Sequence, residues 1–163
     1  MITMSDEELY DFFQKHFICE SLTKNEVVLL THYLKDRSYK SGEIISDVGE
    51  VGDSLGFIIK GKVQFTHPED RDITSVGKQG VGTLIGEMSF FDRKPRNLRM
   101  EACGKGATML ELTRPMYDRL KVEQPFIAVN ILENAIVSLD NLVRHMGDDI
   151  SALEHYMYGV GKR

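Results

Sequence analysis

The sequence predicts a mainly β protein: an antiparallel β-roll of the jelly-roll type, with two short helices before it and one long helix after it. Three observations indicate this fold. Glycines interrupt short β-type segments between residues 36 and 113, apolar residues recur at helical spacing before them, and a longer helical repeat follows them. With 163 residues, of which 42% are hydrophobic, the chain is most simply one domain with one core.

Two capped helices are expected at the start of the chain. Ser5 precedes the acidic residues 6–8, which is typical of an N-cap followed by the first turn of a helix. Thr23 and Glu26 have the spacing of a capping box, so a second helix is expected to begin there. The apolar stripes of these helices comprise Leu9, Phe12, Phe13 and Phe17 in the first and Val27, Leu30 and Leu34 in the second.

The β-roll is expected to occupy residues 36–113. Gly61 lies between two β-type segments and predicts a tight hairpin turn, and Ser41-Gly42 predicts another. The candidate strands are residues 37–40, 43–46, 54–60, 62–67, 72–78, 83–85, 98–103 and 107–113.

The last predicted element is a long helix over residues 124–146. Pro115 suits a first helical turn after the last strand, and Gly147 is expected to end the long helix, leaving residues 147–163 as a C-terminal tail. Apolar residues repeat along the helix at alternating intervals of three and four, which is the spacing of a coiled-coil seam. The residues of this seam are Val129, Leu132, Ile136, Leu139, Val143 and Met146.

Two interpretations of the seam are open. An apolar stripe most often packs against the body of its own chain, but a seam of this spacing also pairs with the same helix of a second copy. Ala128, Ala135 and Leu142 flank the seam and are able to contact the roll instead. Pairing in a homodimer is therefore the favoured interpretation.

Composition argues against several classes of protein. The net charge is -5 and no long Lys/Arg cluster is present, which disfavours sequence-independent binding of nucleic acid. Cys19 and Cys103 lack CxxC spacing and the N-terminus is acidic where a signal peptide would be basic, so a reduced, cytoplasmic setting is expected. No apolar run approaches the roughly 20 residues that span a bilayer, so no membrane segment is expected.

The sequence also lacks the common catalytic motifs. Metal-dependent enzymes built on β-rolls place several histidines on neighbouring strands, and only His67 of the five histidines lies in the strand region. No Gly-x-Ser-x-Gly elbow, Walker motif or complete dinucleotide fingerprint occurs. We therefore expect no enzyme activity, no metal and no cofactor.

Residues 86–102 form the most informative stretch. They carry a carboxylate, Glu87, and a guanidinium, Arg96, at the two ends of one short excursion of the backbone. A carboxylate accepts hydrogen bonds from sugar hydroxyls, whereas a guanidinium donates them to phosphate oxygens. Between the two, residues 89–93 are able to form one helical turn whose first N–H groups would face an anion. A ligand with hydroxyls and a phosphate therefore has a partner at each end.

This stretch resembles the phosphate-binding cassette of the cyclic-nucleotide-binding domain family, which includes the catabolite activator protein and the regulatory subunits of cyclic-AMP-dependent protein kinase. Gly86-Glu87 and Pro95-Arg96 have the order and spacing of that cassette. The similarity extends upstream through residues 42–45, 49–50 and 52–63, and it covers most of residues 5–146.

The resemblance implies a sensor that binds a cyclic nucleotide such as cyclic AMP (cAMP). Glu87 would hold the ribose 2′-hydroxyl and Arg96 the cyclic phosphate, while the long helix would form a homodimer and signal to a protein effector. The helix-turn-helix domain of the family's transcription factors needs more chain than residues 147–163 offer, so a stand-alone sensor without direct nucleic-acid binding is expected. The residues implied in ligand binding are Gly86, Glu87, Met88, Ser89, Pro95, Arg96 and Asn97.

Three residues depart from the family pattern. The family has small residues after the cassette arginine, whereas this chain has Asn97, Leu98 and Arg99. Leu98 would crowd the ligand pocket if its side chain faced it. An alternative function is therefore a degenerate, ligand-free β-roll that acts as a protein-interaction module.

Overall fold

The structure, a computed structural model, describes residues 2–67 and 77–158, with side chains described up to Arg144. Eleven elements occur in these residues. In chain order they are α1 (Asp6–Lys15), α2 (Lys24–Thr31), β1 (Lys35–Tyr39), β2 (Ile44–Ser46), β3 (Ser54–Thr66), β4 (Gly77–Gln79), β5 (Leu84–Ile85), α3 (Glu87–Asp92), β6 (Arg99–Thr113), α4 (Arg114–Glu123) and α5 (Pro125–Tyr158).

The strands form one antiparallel sheet in the order β1-β6-β3-β4, with β2 also paired to β6 and β5 to β3. Helices α1 and α2 precede this sheet and α4 and α5 follow it. The predicted fold class, an antiparallel β-roll with flanking helices, is therefore confirmed.

Two long strands replace four of the predicted short ones. Residues 54–66 are one strand, so the hairpin predicted at Gly61 is wrong. Gly61 has φ +77° and pairs with Ala107, whereas Lys62 pairs with Cys103, so three residues of β6 bulge out of the sheet. A Cβ on Gly61 would approach the Gly106 carbonyl oxygen to 1.9 Å, so glycine is required here by a close approach of backbones. Of the predicted strand 72–78, residues 72–76 lie outside the described residues.

The N-cap predicted at Ser5 and the capping box predicted at Thr23 are both confirmed, and Ser5 forms a capping box as well. Ser5 Oγ accepts the Glu8 backbone N–H while the Glu8 carboxylate accepts the Ser5 N–H, and Thr23 and Glu26 repeat this arrangement. Phe17, however, does not belong to the apolar stripe of α1. The helix ends at Lys15, and Phe17 has φ +55° and is 72% exposed.

The main core lies between the helices and one face of the sheet. Phe13 of α1 packs against Phe57 of β3 with ring centroids 5.9 Å apart, and Leu110 of β6 belongs to the same buried cluster. Ile127 and Ile131 of α5 join that cluster. This packing anchors the first half of α5 to the roll.

Helix α5 is longer than expected. It continues through Gly147 to Tyr158, so the predicted helix end at Gly147 is wrong. Glycine inside a helix costs only about 1 kcal/mol relative to alanine, which is too little to end a long helix by itself. A separate helix, α4, also precedes α5 and begins at Arg114, with Pro115 in its first turn as expected.

The apolar seam of α5 does not pack on the roll. Val129, Leu132, Ile136 and Val143 are between 38% and 64% exposed, and Leu139 is half-buried. Ala128 and Ala135 face the core instead, as predicted, whereas Leu142 remains exposed. The side chain of Met146 lies outside the described residues. The interpretation that the seam packs against its own roll is therefore wrong, and the pairing of the seam with a second copy stays a prediction.

One stretch of α5 is more apolar than was expected from the sequence, which predicted no run long enough to span a bilayer. Pro125–Arg144 has a mean hydropathy of 1.4 and is long enough to cross a membrane. Ile127 and Ile131 within it are nonetheless buried in the core shared with α1 and the sheet.

Candidate functional site

The cassette folds as one short helical excursion between β5 and β6. Gly86 adopts φ +87° at its start, α3 spans Glu87–Asp92, and Arg93 ends the turn with φ +57°. The chain then returns antiparallel to the preceding loop, where Pro95 pairs with Val51. The predicted helical turn between the carboxylate and the guanidinium is therefore present, starting two residues earlier than expected.

Hydrogen bonds brace the cassette against the loop at residues 49–52. Ser89 Oγ accepts the Gly52 N–H at 2.7 Å and donates to the Lys94 carbonyl at 2.6 Å. The backbone of Arg96 donates to the Glu50 carbonyl and accepts from the Gly49 N–H, both at 2.9 Å. Ser89 thus supports the cassette from within, and the backbone at Arg96 is fixed in place.

A cavity of about 490 Å³ opens beside the cassette, within the roll. Its volume is in the range of small-molecule sites, and apolar and charged groups both contribute to its walls. The apolar side chains are Ile45, Val51, Ile85, Met100 and Met109, and the charged ones are Arg37, Glu50, Asp53, Arg96 and Glu111.

The Arg96 guanidinium lines this cavity between two glycines. A Cβ on Gly52 would lie 2.8 Å from its Nη2 atom, and a Cβ on Gly86 would lie 3.4 Å from the same atom. Burial lowers the pKa of Arg96, while the carboxylates of Asp53 and Glu50 oppose that shift. Its Nε is buried and has no hydrogen-bond partner among the described residues. A half-buried guanidinium with an unused, buried donor favours the binding of an anion.

Glu87 is buried beside the cavity and is held by the long helix. It is 8% exposed, and its Oε1 accepts a hydrogen bond of 2.8 Å from Ser138 Oγ on α5. Burial raises the pKa of Glu87, and hydrogen bonds from its own backbone N–H and from Ser138, together with the charge of Arg96, oppose the rise. The carboxylate therefore joins the cassette to α5.

The seven predicted ligand residues fall into two groups. Gly86 and Arg96 line the cavity, and the other five do not. Of these five, Glu87 and Ser89 are buried behind the cavity wall, whereas Met88, Pro95 and Asn97 are exposed. The ligand contacts of all seven stay predictions.

The residues that depart from the family pattern leave the cavity open. Arg99 forms a bidentate ion pair with Asp47, with N–O distances of 2.9 and 3.1 Å. Leu98 is half-buried and does not line the cavity. Neither side chain fills the space in which a ligand would lie.

Sequence reasoning missed a polar cluster on the opposite wall. Glu111 of β6 accepts a hydrogen bond of 3.0 Å from Ser54 Oγ and lies 3.4 Å from Arg37 Nη1. Arg37 and Tyr39 occupy alternate positions of β1, so their side chains lie on the same face of the strand. This alternation was the sequence pattern that could have indicated the polar cluster. Ser138 was missed because no local pattern connects it to Glu87.

Metal ligation has no support in the part of the chain that the structure describes. No group of three or more His, Cys, Asp or Glu residues is arranged there to hold a metal ion. The polar groups of the cavity are guanidinium, carboxylate and hydroxyl groups, which suit an organic ligand that carries both an anionic group and hydroxyls.

Relatives with similar sequences and structures carry names of cyclic-nucleotide-binding proteins. A cyclic nucleotide-gated potassium channel of Rhizobium etli is 27% identical over 117 residues, covering 72% of this chain and 31% of its own length. A cyclic AMP receptor protein of Thermus thermophilus is 32% identical over 112 residues, covering 68% of this chain and 51% of its own length. The chain therefore spans about a third of the first of these curated relatives and about half of the second.

A solved structure shows the same fold. The crystal structure of a cyclic nucleotide-binding domain from Methylobacillus flagellatus matches with a TM-score of 0.77 and 24% identity, covering 90% of this chain and 83% of its own. The sequence profile described as the cyclic nucleotide-binding domain matches residues 36–121, which is more than half of the 163 residues. On this match, the chain belongs to the cyclic nucleotide-binding domain family.

Proposed function

We propose that the chain is a regulatory sensor that binds a cyclic nucleotide such as cAMP in the cavity beside Arg96 and signals through α5. The observation that carries this proposal is the half-buried Arg96 guanidinium, whose buried Nε lacks a partner among the described residues and whose pKa is lowered by burial. A cyclic phosphate would supply both the charge and the acceptors that this group lacks.

The ribose contact is assigned to Glu87, which does not itself line the cavity but directly follows the lining residue Gly86. The Oε1 atom of its carboxylate already accepts a hydrogen bond from Ser138, so a ribose hydroxyl would share or replace that bond. Ligand contact and helix contact therefore act on the same carboxylate. If the ligand prefers one arrangement of α5, its binding shifts the population of helix positions.

The output surface is assigned to the seam of α5. Val129, Leu132, Ile136 and Val143 are exposed and regularly spaced, so they offer a continuous apolar strip to the same helix of a second copy. The seam lies on the same helix as Ser138, which contacts the cassette. A homodimer would therefore carry a change at the cavity to its partner.

The remaining properties follow from the same assignment. Family membership supports a regulatory role for the chain, and we propose that it acts without catalysis, metal or cofactor. Its net charge of -5 supports a protein effector rather than nucleic acid as the downstream partner. The burial of Ile127 and Ile131 in the core supports a cytoplasmic location over insertion of α5 in a membrane.

Titration calorimetry with cAMP and cyclic GMP tests the cavity. The phosphate contact of Arg96 contributes about 2–4 kcal/mol, so Arg96→Ala is expected to weaken binding about 30- to 1,000-fold. Arg99→Ala is the matched control. It removes the same charge three residues after Arg96, but the Arg99 side chain pairs with Asp47. Equal affinity in wild type and Arg96→Ala would remove Arg96 from the site.

A thermal-shift panel of cyclic nucleotides separates the sensor from the alternative function. An increase in melting temperature with one or more cyclic nucleotides supports the sensor. No shift across the whole panel supports a ligand-free interaction module, which would use the exposed strip of α5 to hold a partner.

Sedimentation velocity tests the dimer. Ile136→Asp places a charge in the seam and is expected to give a monomer. Val137→Asp is the matched control, because Val137 is also 58% exposed but lies outside the seam. A monomeric wild type, or equal dissociation of both variants, would contradict the assigned interface.

A further inference from the structure

A second cavity, of about 670 Å³, lies on the outer face of the roll. Thr108 of β6 is the register partner of both Ser38 on β1 and Lys60 on β3, and the Ser38 and Thr108 hydroxyls are 3.0 Å apart. Opposed residues point to the same side of a sheet, so these three side chains form one row. Their neighbours Tyr39 and Ala107 are buried, and they also contribute to the lining of this cavity.

Three lysines from separate segments line this outer cleft, namely Lys40, Lys60 and Lys105. None of their ammonium groups forms an ion pair within 4 Å in the described ranges 2–67 and 77–144. The acidic side chain of the lining, Glu43, accepts a hydrogen bond of 2.8 Å from the Lys40 backbone N–H. Three lysines against one glutamate give the cleft an excess of positive charge in a chain whose net charge is -5.

The glycine-rich bulge of β6 builds this cleft. Lys105 lies between Gly104 and Gly106, which have φ values of +62° and +94°. A Cβ on Gly106 would lie 2.5 Å from the Tyr39 carbonyl oxygen, so the bulge is pressed against the end of β1. Bulges commonly redirect a side chain beside a functional site. Here the bulge brings Lys105 to the same cleft as the lysines of the two neighbouring segments.

We propose that the outer cleft binds a small ligand that carries two or more linked phosphate groups. Lysine ammonium groups bind phosphate as compact point charges, and the hydroxyls of Ser38 and Thr108 add hydrogen-bond donors. The cleft has the volume of a small-molecule site. A linked series of phosphates reaches several of the separated ammonium groups, whereas one phosphate reaches fewer. This site is independent of the proposed cyclic-nucleotide cavity.

Titration calorimetry of the full chain with inorganic tripolyphosphate at low ionic strength tests the proposal. Loss of one ammonium contact is expected to weaken binding about three- to fivefold, so Lys60→Met and Lys105→Met both lose affinity. Lys62→Met is the matched control, because Lys62 is an exposed lysine on the same strand that does not line the cleft. We expect this variant to change the affinity less than about twofold.

Three results would overturn the assignment. One is the absence of tripolyphosphate binding to the wild-type chain, and another is equal weakening by Lys62→Met, which indicates general charge attraction. The third is loss of tripolyphosphate binding in Arg96→Ala, which would place the phosphates in the inner cavity. Circular-dichroism melting of each variant confirms that the chain is folded.

Discussion

Replacing Ser138 by alanine removes the hydrogen bond that α5 donates to the buried Glu87 carboxylate. The Oγ–Oε1 distance is 2.8 Å and Glu87 is 8% exposed, so water replaces the lost donor poorly. A hydrogen bond to a charged group contributes about 1.5–3 kcal/mol. Alanine favours the helix over serine by about 0.5 kcal/mol, so we expect Ser138→Ala to lower the free energy of unfolding by about 1–2.5 kcal/mol.

Urea denaturation followed by circular dichroism measures this loss in a double-mutant cycle with Glu87→Gln. In a thermal melt, Ser138→Ala alone is expected to lower the melting temperature by about 2–10 °C for a chain of this length. In the Glu87→Gln background, Ser138→Ala should cost about half as much, because a neutral acceptor forms a weaker hydrogen bond. Strict additivity of the two substitutions would refute the coupling between the cassette and α5.

The pH dependence provides a second criterion for the same variant. Burial raises the pKa of Glu87 above its ordinary value of 4.5, and the Ser138 hydrogen bond opposes that rise. A carboxyl whose pKa is raised by folding stabilises the native state at low pH and loses that contribution as the pH rises through the raised pKa. Removing Ser138 raises the pKa further, so the loss of stability should be largest at neutral pH and smaller near pH 4.5. An equal loss at both pH values would contradict this reasoning.

Two further predictions concern glycine packing and thiol burial. Gly52→Ala places a Cβ 2.8 Å from both Arg96 Nη2 and the Phe90 backbone nitrogen, so it displaces the guanidinium and the cassette together. Calorimetry should then show cAMP binding weakened by roughly tenfold or more, whereas the control Gly80→Ala meets no atom within 4 Å and should bind normally. Burial raises the pKa of Cys19 to about 12, so an aromatic disulfide reagent should modify Cys103 but not Cys19 in the folded chain. In urea the reagent should modify both thiols. Fast reaction of both thiols without urea would contradict this prediction.

Local features of the structure could be read from the sequence. The capping boxes at Ser5 and Thr23 depend on residues three positions apart, and the cassette between Glu87 and Arg96 depends on a ten-residue segment. The exposure of the α5 seam agrees with the interpretation that the sequence favoured, because the spacing separates the seam from the small residues that face the core. In each case the residues that form the recognisable pattern are close together in the chain.

Features that depend on distant residues could not be predicted. Gly61 indicates a hairpin when only its neighbours are considered, but the structure places it against Gly106 across a bulge. The contact of Ser138 with Glu87 joins residues 51 positions apart. A single sequence specifies turn residues locally, whereas strand register and helix docking depend on which surfaces meet. The continuation of α5 past Gly147 belongs to the same class, because an isolated glycine does not determine whether a helix ends.

The electrostatics of the cassette explain why its two charged residues leave room for a ligand. No ion pair with an N–O distance of 4 Å or less joins Glu87 to Arg96. Burial shifts the pKa of each toward the neutral form, lowering that of Arg96 and raising that of Glu87. A direct ion pair would have favoured both charged forms and occupied the donors and acceptors of the cassette. Because they are separate, a phosphate at Arg96 and a hydroxyl at Glu87 would stabilise both charges together, and α5 would sense the change through Ser138.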